Sequence, residues 1–540
     1  VSRDLDIRSG VYHDSVTLMQ VSRTVGDEPG VSAALVAMAT QLNVDLVVGM
    51  GFEPPADAGP NDLLIALEAS DDDALARARA AADAALAASR TAPPSDFGSE
   101  PRPRTVGAAI ARSDATIAFV STPGAHAFGD AMDALTKGVP VIVFSDNVPL
   151  TQEVRLKEEA SRRGLLVMGP DCGTAVIGGV GFGFANVVRP GPVGVVAASG
   201  TGAQHLMSLL DASDVGISHC LGVGGRDMSD EVGAVSTLAA MDALASDPAT
   251  EVIVVVGKPP GPRAAERVRS HAAAQSTPVV FALLGEGEPD LTETARSVVD
   301  AAGATWSEPR SWPASTAPEP LLEGPAPHAP TAERPEDPAS RSRGFVRGLF
   351  SGGTLCDEAM AIVSGELGEV RSNIPLRPEW ALDADHDVGG HVMIDFGDDA
   401  LTLGRPHPMI DGSLRAERIL AEAGDPTCSV LLLDVVLGHG AHPDPAAELG
   451  PVIGEAQLTA ARDGRELPVV VSLVGTAGDP QDLDRQAKTL NDAGAAVYVS
   501  NAAAAREAVR RVADRPAGQG PPDSVTDVLD TDDDLPGGEE

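Results

Sequence analysis

The chain has 540 residues, 43% hydrophobic and 22% charged, which supports roughly three to five globular domains and excludes disorder throughout. Its formal net charge is −40, from 39 basic against 79 acidic residues, so phosphate backbones and anionic bilayers are repelled and neither nucleic acid nor membrane is an expected partner. Apolar runs such as Val252–Val256 fall far short of the ~20 residues of a membrane helix, the opening VSRDLDIRSGVYHD lacks the pattern of a signal peptide, and Cys172, Cys220, Cys356 and Cys428 form no CxxC pair; together these predict a cytoplasmic location.

Residues 1–92 predict a small ferredoxin-like βαββαβ module: a strand near Val11, a helix capped by Asp14, strands over Val31–Ala39, Val44–Met50 and Leu63–Glu68, and an Ala-rich helix. The following TAPPSDFGSEPRPR, with four prolines in fourteen residues, is the expected linker. From 105 to 190, strands at Thr116–Val120, Val139–Phe144 and Leu165–Met168 alternate with helices at Ala125–Thr136 and Pro149–Arg163, which predicts a Rossmann-like domain on a parallel sheet. It lacks the glycine-rich turn that opens a dinucleotide-binding unit, and GGVGFG at Gly178–Gly183 is read as a structural turn.

Residues 191–306 and 344–515 read as two copies of one flavodoxin-like α/β domain. SGT at Ser199 is matched by SGGT at Ser351, and four landmarks keep steady offsets: Arg226 to Arg405 by 179, Asp247 to Asp425 by 178, Gly285 to Gly475 by 190, and Gly303 to Gly494 by 191. Pseudo-twofold packing of the copies is the natural arrangement. Between them, residues 307–343 carry nine prolines and predict an extended tether. Residues 516–540 form the expected disordered tail, the last nineteen holding eight acids and no base. The fold class is therefore α/β.

In each copy a buried strand runs into Gly, Ser and Thr and then a helix. Unpaired amides and the positive dipole end favour an anion there, phosphate above all, so Ser199, Gly200, Thr201 and Gly202 are candidate ligands; Ser199 and Ser351 could equally do no more than cap their helices. Lys258, one of only four lysines, follows a buried strand and could steady a phosphate or a developing oxyanion, or lie idle on the surface. Arg226 and Arg405 occupy matching places in the repeat, as paired anion contacts or as locks on their own loops. The stretch DVVLGHGAHPDP brings Asp434, Gly438, His439, Gly440, His442 and Asp444 to the carboxyl end of a strand; two loop histidines without a third fixed ligand do not make a metal site, and none is predicted. The absence of GxxxxGK[ST], GxSxG and HExxH motifs removes P-loop, hydrolase and zincin chemistry.

The stretches VMGPDCGTAVIGG, VGVVAASGTGAQ, CLGVGGRDMSDEVG and DPATEVIVVVGKPP resemble the α-subunit of succinyl-CoA synthetase, and LPVVVSLVG with KTLNDAGAAVYVS resembles the ligase domain of its β-subunit. With YHDSVTLMQVSR, GRPHPMIDGSLR and DVVLGHGAHPDPA, the chain from about 10 to 515 resembles the acyl-CoA synthetase-like FdrA family. That resemblance implies a CoA-binding-type domain at 105–190 and succinyl-CoA-synthetase-type domains of α kind at 191–306 and β kind at 344–515. It implies phosphate held by Ser199–Thr201, with Gly438–Gly440 matching the opposing helix start. Departures matter: no histidine stands where the synthetase is phosphorylated, Lys258 replaces the glutamate that supports it, and the glycine-rich CoA loop and ATP-grasp domain are missing.

The resemblance further implies a subunit of an oxamate carbamoyltransferase in allantoin breakdown, acting with companion subunits and using phosphate as substrate with no resident cofactor. Lys258, Arg226, Arg405 and His439 are then the candidate catalytic residues. The alternatives are an acyl-CoA ligase completed by a partner, which would bind CoA, and a non-catalytic scaffold.

Overall fold

The computed structural model describes residues 2–9, 11, 13, 15–26, 28–52, 54–55, 58–59, 62–90, 103–285, 287–314, 344–382, 389–402 and 405–513. Asp14, nearly all of the proline-rich linker and the acidic tail of the sequence reading lie outside these residues, as does the tether from 315 to 343. The chain divides into two compact units, Val1–Pro103 with Thr402–Pro406, and Arg104–Leu401 with His407–Glu540.

In the first unit the order is β1 (Ser2–Arg8), α1 (Ser15–Gly26), β2 (Val31–Met38), α2 (Gln41–Gly49), β3 (Leu63–Ala69) and α3 (Asp72–Arg90). The antiparallel sheet runs β1-β3-β2, a ferredoxin-like arrangement. Period-2 alternation makes β3 the core of both faces: Leu63, Ile65 and Leu67 pack with α1 and α3, and Leu64 and Ala66 with Val47 and Phe52. Two expectations need correcting. The first strand is Ser2–Arg8, ahead of Val11, and Val44–Gly49 is helical, with Met50 at its C-cap. Thr40 caps that helix by accepting from Asn43 N, and Leu46 and Val48 are 40% and 54% exposed while Val47 is buried. Alternation would have put Leu46 and Val48 on one strand face; the cap and a single inward stripe decide for helix instead.

The second unit holds three sheets. The first comes from α4 (Val106–Ile110), β4 (Ala118–Val120), α5 (Gly124–Thr136), β5 (Val141–Val143), α6 (Leu150–Arg163) and β6 (Val167–Met168), parallel in the order β4-β5-β6. The second contains β7 (Thr174–Ile177), β8 (Val180–Gly183), β9 (Pro190–Ala197), α7 (Gly200–Ala212), β10 (Ile217–Gly222), α8 (Val235–Ser246), β11 (Val252–Gly257), α9 (Pro262–Ala274), β12 (Val279–Leu283) and α10 (Leu291–Ala301). Its order is β12-β11-β9-β10-β7-β8. The glycine-rich Gly178–Gly183 is the turn and second strand of the β7–β8 hairpin, with Gly178 and Gly179 at φ of 57° and 81° as a two-residue hairpin turn demands.

The third sheet contains β13 (Ser311–Trp312), β14 (Phe345–Phe350), α11 (Gly353–Leu367), β15 (Val370–Ser372), β16 (His391–Asp395), α12 (Asp399–Thr402), α13 (Ser413–Gly424), β17 (Cys428–Val436), α14 (Pro445–Arg462), β18 (Val469–Val474), α15 (Leu483–Asp492), β19 (Ala495–Tyr498) and α16 (Asn501–Ala513). Its order is β13-β19-β18-β17-β14-β16-β15. The expected tether therefore packs at its start: Ser311 and Trp312 pair antiparallel with Tyr498 and Val497. Trp312 is the reason, because its ring lies against the cores of both repeat copies.

The two copies are stitched reciprocally through helix starts. His205 on α7 accepts from Asn501 N at the start of α16, and Glu358 on α11 accepts from Leu291 N at the start of α10. Each copy's first helix thus satisfies an orphan amide at the other copy's last helix. Burial holds His205 down to about 4 and pushes Glu358 up to about 7. A second buried tie joins the first sheet to the second. Lys157 Nζ lies 2.8 Å from both Glu153 Oε1 and Asp227 Oδ1, and Glu153 also accepts from Arg226 Nε at 3.0 Å.

Candidate functional site

The site grows from the carboxyl ends of parallel strands, where open α/β sheets place their ligands. β9 ends in Ala198–Ser199 and turns straight into α7. Ser199 has extended backbone, and its Oγ accepts from Gly202 N at 3.0 Å, so it is an N-cap. That bond leaves the amides of Gly200 and Thr201, both partly exposed, without an acceptor among the described residues. β14 ends likewise and turns into α11, and the two helix starts face each other. Ser199 Oγ lies 2.5 Å from Thr354 Oγ1, a Cβ on Gly202 would meet Thr354 Cγ2 at 2.8 Å, and a Cβ on Gly352 would meet Thr201 Oγ1 at 2.8 Å. Glycine is required on both sides for the backbones to come this close.

The two starts differ in what occupies them. At α11 the amides of Ser351 and Gly352 donate to Asp434 Oδ1 and Oδ2 at 2.7 and 2.8 Å, and Arg415 Nη1 donates to Asp434 Oδ1 at 2.7 Å and to Ser351 Oγ at 2.6 Å. All four groups are buried. In the second copy an internal carboxylate holds the amides just ahead of α11, while those of Gly353 and Thr354 at its first turn make no hydrogen bond among the described residues. The start of α7 keeps its capacity for an external anion.

Charged groups gather beside these starts. Lys258, just past β11, is 3.3 Å from Asp357 Oδ2 on α11, and a Cβ on Gly353 would meet Lys258 Nζ at 3.1 Å and Asp395 Oδ2 at 2.5 Å. The Lys258 side chain is 40% exposed. Burial works against its charge, but Asp357 and Asp395 prevail and hold its pKa above the usual lysine range. Asp395 closes β16, accepts from Gly397 N at 2.9 Å, and is pushed by burial up to about 7, with Lys258 opposing. Asp357 is raised for the same reason, with Lys258 opposing. Asp171, which follows β6, is also raised to about 7 by desolvation, with Asp399 and Asp146 adding and Arg226 and Lys258 opposing. Its carboxylate keeps solvent contact, so screening trims that shift. A cation is therefore surrounded by carboxylates poised to exchange protons near neutral pH.

Other anticipated residues fall differently. Arg226 is half-exposed and bound to Glu153 and, at 2.7 Å, to Val148 O, which locks it to the neighbouring sheet rather than to an Asp of its own loop. Arg405 lies in Thr402–Pro406 of the first unit, whereas the site just described is built from the second unit alone. The Gly438–Gly440 turn is not the helix start that opposes α7. Gly438 N donates to Gln481 Oε1 at 3.1 Å, His439 N donates to Ala185 O at 2.8 Å, and α14 begins only at Pro445. The His439 side chain is exposed, and the opposing start is Gly352–Thr354. Asp171, Thr354, Asp357 and Arg415 were not singled out in the sequence. The legible signal was Asp357 three residues after Thr354, one helical turn along the same face.

Comparison with known proteins fits this geometry. Residues 349–511 match the CoA-ligase family, 188–284 the CoA binding domain, and 1–103 the AllF heavy metal-associated domain. That last segment holds no cysteine and a single histidine, His13. The succinate–CoA ligase α-subunit of Methanothermobacter thermautotrophicus is 27% identical over 210 residues, 35% of this chain and 69% of that one. The malate–CoA ligase α-subunit of Methylorubrum extorquens is 29% identical over 232 residues, 40% of this chain and 76% of that one. The uncharacterized protein YahF of Escherichia coli K12 is 36% identical over 499 residues, 90% of this chain and 94% of that one. The chain belongs to the YahF family, an AllF-type group that joins a ferredoxin-like N-terminal module to CoA-binding and CoA-ligase domains of the succinyl-CoA synthetase kind.

Proposed function

We propose that this chain is the FdrA-type subunit of a phosphate-dependent carbamoyltransferase of allantoin breakdown, passing the carbamoyl group of oxalurate to phosphate and releasing oxamate and carbamoyl phosphate. The observation that carries this reading is the pair of uncommitted amides at Gly200 and Thr201, near Lys258, in a chain without a histidine at the place where the resemblance to succinyl-CoA synthetase puts the phosphorylated one. Phosphate sits on those amides and its oxygen attacks the carbamoyl carbon. Lys258 offsets the charge that develops on the carbonyl oxygen. The C–N bond to the departing oxamate nitrogen breaks as that nitrogen takes a proton from Asp395, whose pKa near 7 suits a general acid, and the proton of the incoming phosphate restores the acid. Arg226, through Nη1, and the oxalyl carboxylate are a natural pair, since Nε and Nη2 are held by Glu153 and Val148; Arg405 and His439 have no step in this scheme.

The test is formation of carbamoyl phosphate from oxalurate and phosphate, by the purified chain and by the chain co-expressed with the products of neighbouring genes. Activity in either supports the reading, and activity in the complex alone makes companion subunits part of it. Thioester formation from an acid, CoA and nucleotide, with no phosphorolysis, would replace it by the second reading. The matches to CoA-binding and CoA-ligase domains favour that alternative, an acyl-CoA ligase completed by a partner subunit, and it requires CoA binding measurable by calorimetry.

A further inference from the structure

A second polar centre lies apart from Lys258. A cavity of about 210 Å³ opens between α13 and α14, roofed by the Pro408–Gly412 loop and floored by Val435 and Val436 at the end of β17. Arg415 lines it and is 7% exposed. Nη1 of this guanidinium is committed to Ser351 Oγ, Asp434 O and Asp434 Oδ1. Nε is buried without a partner, and Nη2 makes no hydrogen bond among the described residues. A buried donor left unmade is costly, and more so on a charged group. The Nε–Nη2 edge is also the fork that receives a carboxylate through two parallel hydrogen bonds. The helix start beside it adds little, because α13 has Gly412 at its N-cap and its first amide, Ser413 N, already donates to Asp411 Oδ1 at 2.9 Å.

We propose that this cavity binds a short-chain monocarboxylic acid, its carboxylate on the open edge of Arg415 and its hydrocarbon tail against Met409, Val435, Leu449 and Val452. The walls decide between anions. Phosphate would set its remaining oxygens against those apolar side chains, and as a dianion it would be repelled by Asp411 and Glu448 in the same lining more strongly than a monocarboxylate. The acid would share Arg415 with Asp434, whose carboxylate holds the first amides at α11, so the pocket touches the scaffold of the phosphate site without belonging to it.

The test is calorimetric titration of the full chain with butyrate, with butan-1-ol and inorganic phosphate as comparators, for wild type, Ala416→Leu, Arg415→Gln and Lys258→Ala. Ala416 lines the cavity away from the ion pair, so its enlargement fills space without removing a charge. Butyrate is expected to bind one per chain, butan-1-ol at least tenfold more weakly, and phosphate is not expected to compete. Ala416→Leu should weaken butyrate at least tenfold with an unchanged unfolding midpoint, and Lys258→Ala should leave it unaltered. Arg415→Gln, where it folds, should lose binding, and where it does not, Ala416→Leu carries the test. No binding of butyrate to wild type, equal binding of the alcohol, full binding by Ala416→Leu, or loss in Lys258→Ala would each overturn the proposal.

Discussion

The two repeat copies begin their first helices with nearly the same residues, yet they have settled the chemistry of that helix start in opposite ways. Ser199 and Ser351 each stand two residues beyond a strand residue, Ala197 and Leu349, that pairs with the neighbouring parallel strand. Ala197 pairs with Val256 and Leu349 with Leu433, so the next residue is Gly257 in the first copy and Asp434 in the second. A glycine leaves the amides at the α7 start to the solvent. An aspartate fills the α11 start and needs the buried Arg415 to balance its charge. One difference in side chain at one register position thus separates an open strand end from one closed by a buried carboxylate, and no helix propensity or capping preference would reveal it.

The largest expected effect tests the lock. Asp434→Ala leaves Arg415 an unpaired buried cation and orphans the amides of Ser351 and Gly352, so it should destabilise the fold by about 3–5 kcal/mol, seen in denaturant unfolding. Lys258→Ala tests the open copy and should lower phosphorolysis of oxalurate about a hundredfold in the assembled enzyme while the unfolding midpoint holds. Unchanged turnover would remove Lys258 from the scheme.

Glu358, which ties the copies together, gives a pH signature. Its folded pKa is raised from 4.5 to about 7, so the stability it contributes is full below about pH 4.5 and is lost as pH rises through 7. Glu358→Gln does not titrate, so its stability relative to wild type should climb across that window by up to about 3 kcal/mol and level off above it. A difference flat with pH would show that the native carboxyl is not shifted. Asp395→Asn should likewise abolish a fall of kcat/KM above about pH 7. The smallest effect is expected of His439→Ala, whose exposed ring should change turnover by less than about threefold.

Much of the architecture was legible because periodicity reports burial: the apolar strand Val252–Val256 and the strand Val469–Val474, apolar but for Ser472, are fully buried parallel strands in matching sheets. Ser199–Gly202 was legible as a helix start for the same reason. What could not be read were contacts set by tertiary register. Asp434 stood out in the sequence but looked like part of a histidine-rich turn, when its partners are 83 residues upstream at Ser351 and 19 upstream at Arg415. Gly438–Gly440 looked like the facing helix start because glycines after a strand usually precede one. Here they bend the chain against Ala185 instead. The segment Val44–Met50 misled in the first unit because β-branched content outweighed a capping threonine.

The asymmetry between the copies is best tested by amide resonances. On titration of the full chain with inorganic phosphate, the Gly200 and Thr201 amides should shift and saturate together, while Ser351 and Gly352, already bound to Asp434, stay in place. Saturable shifts at Ser351 and Gly352 with none at Gly200 and Thr201 would contradict the account.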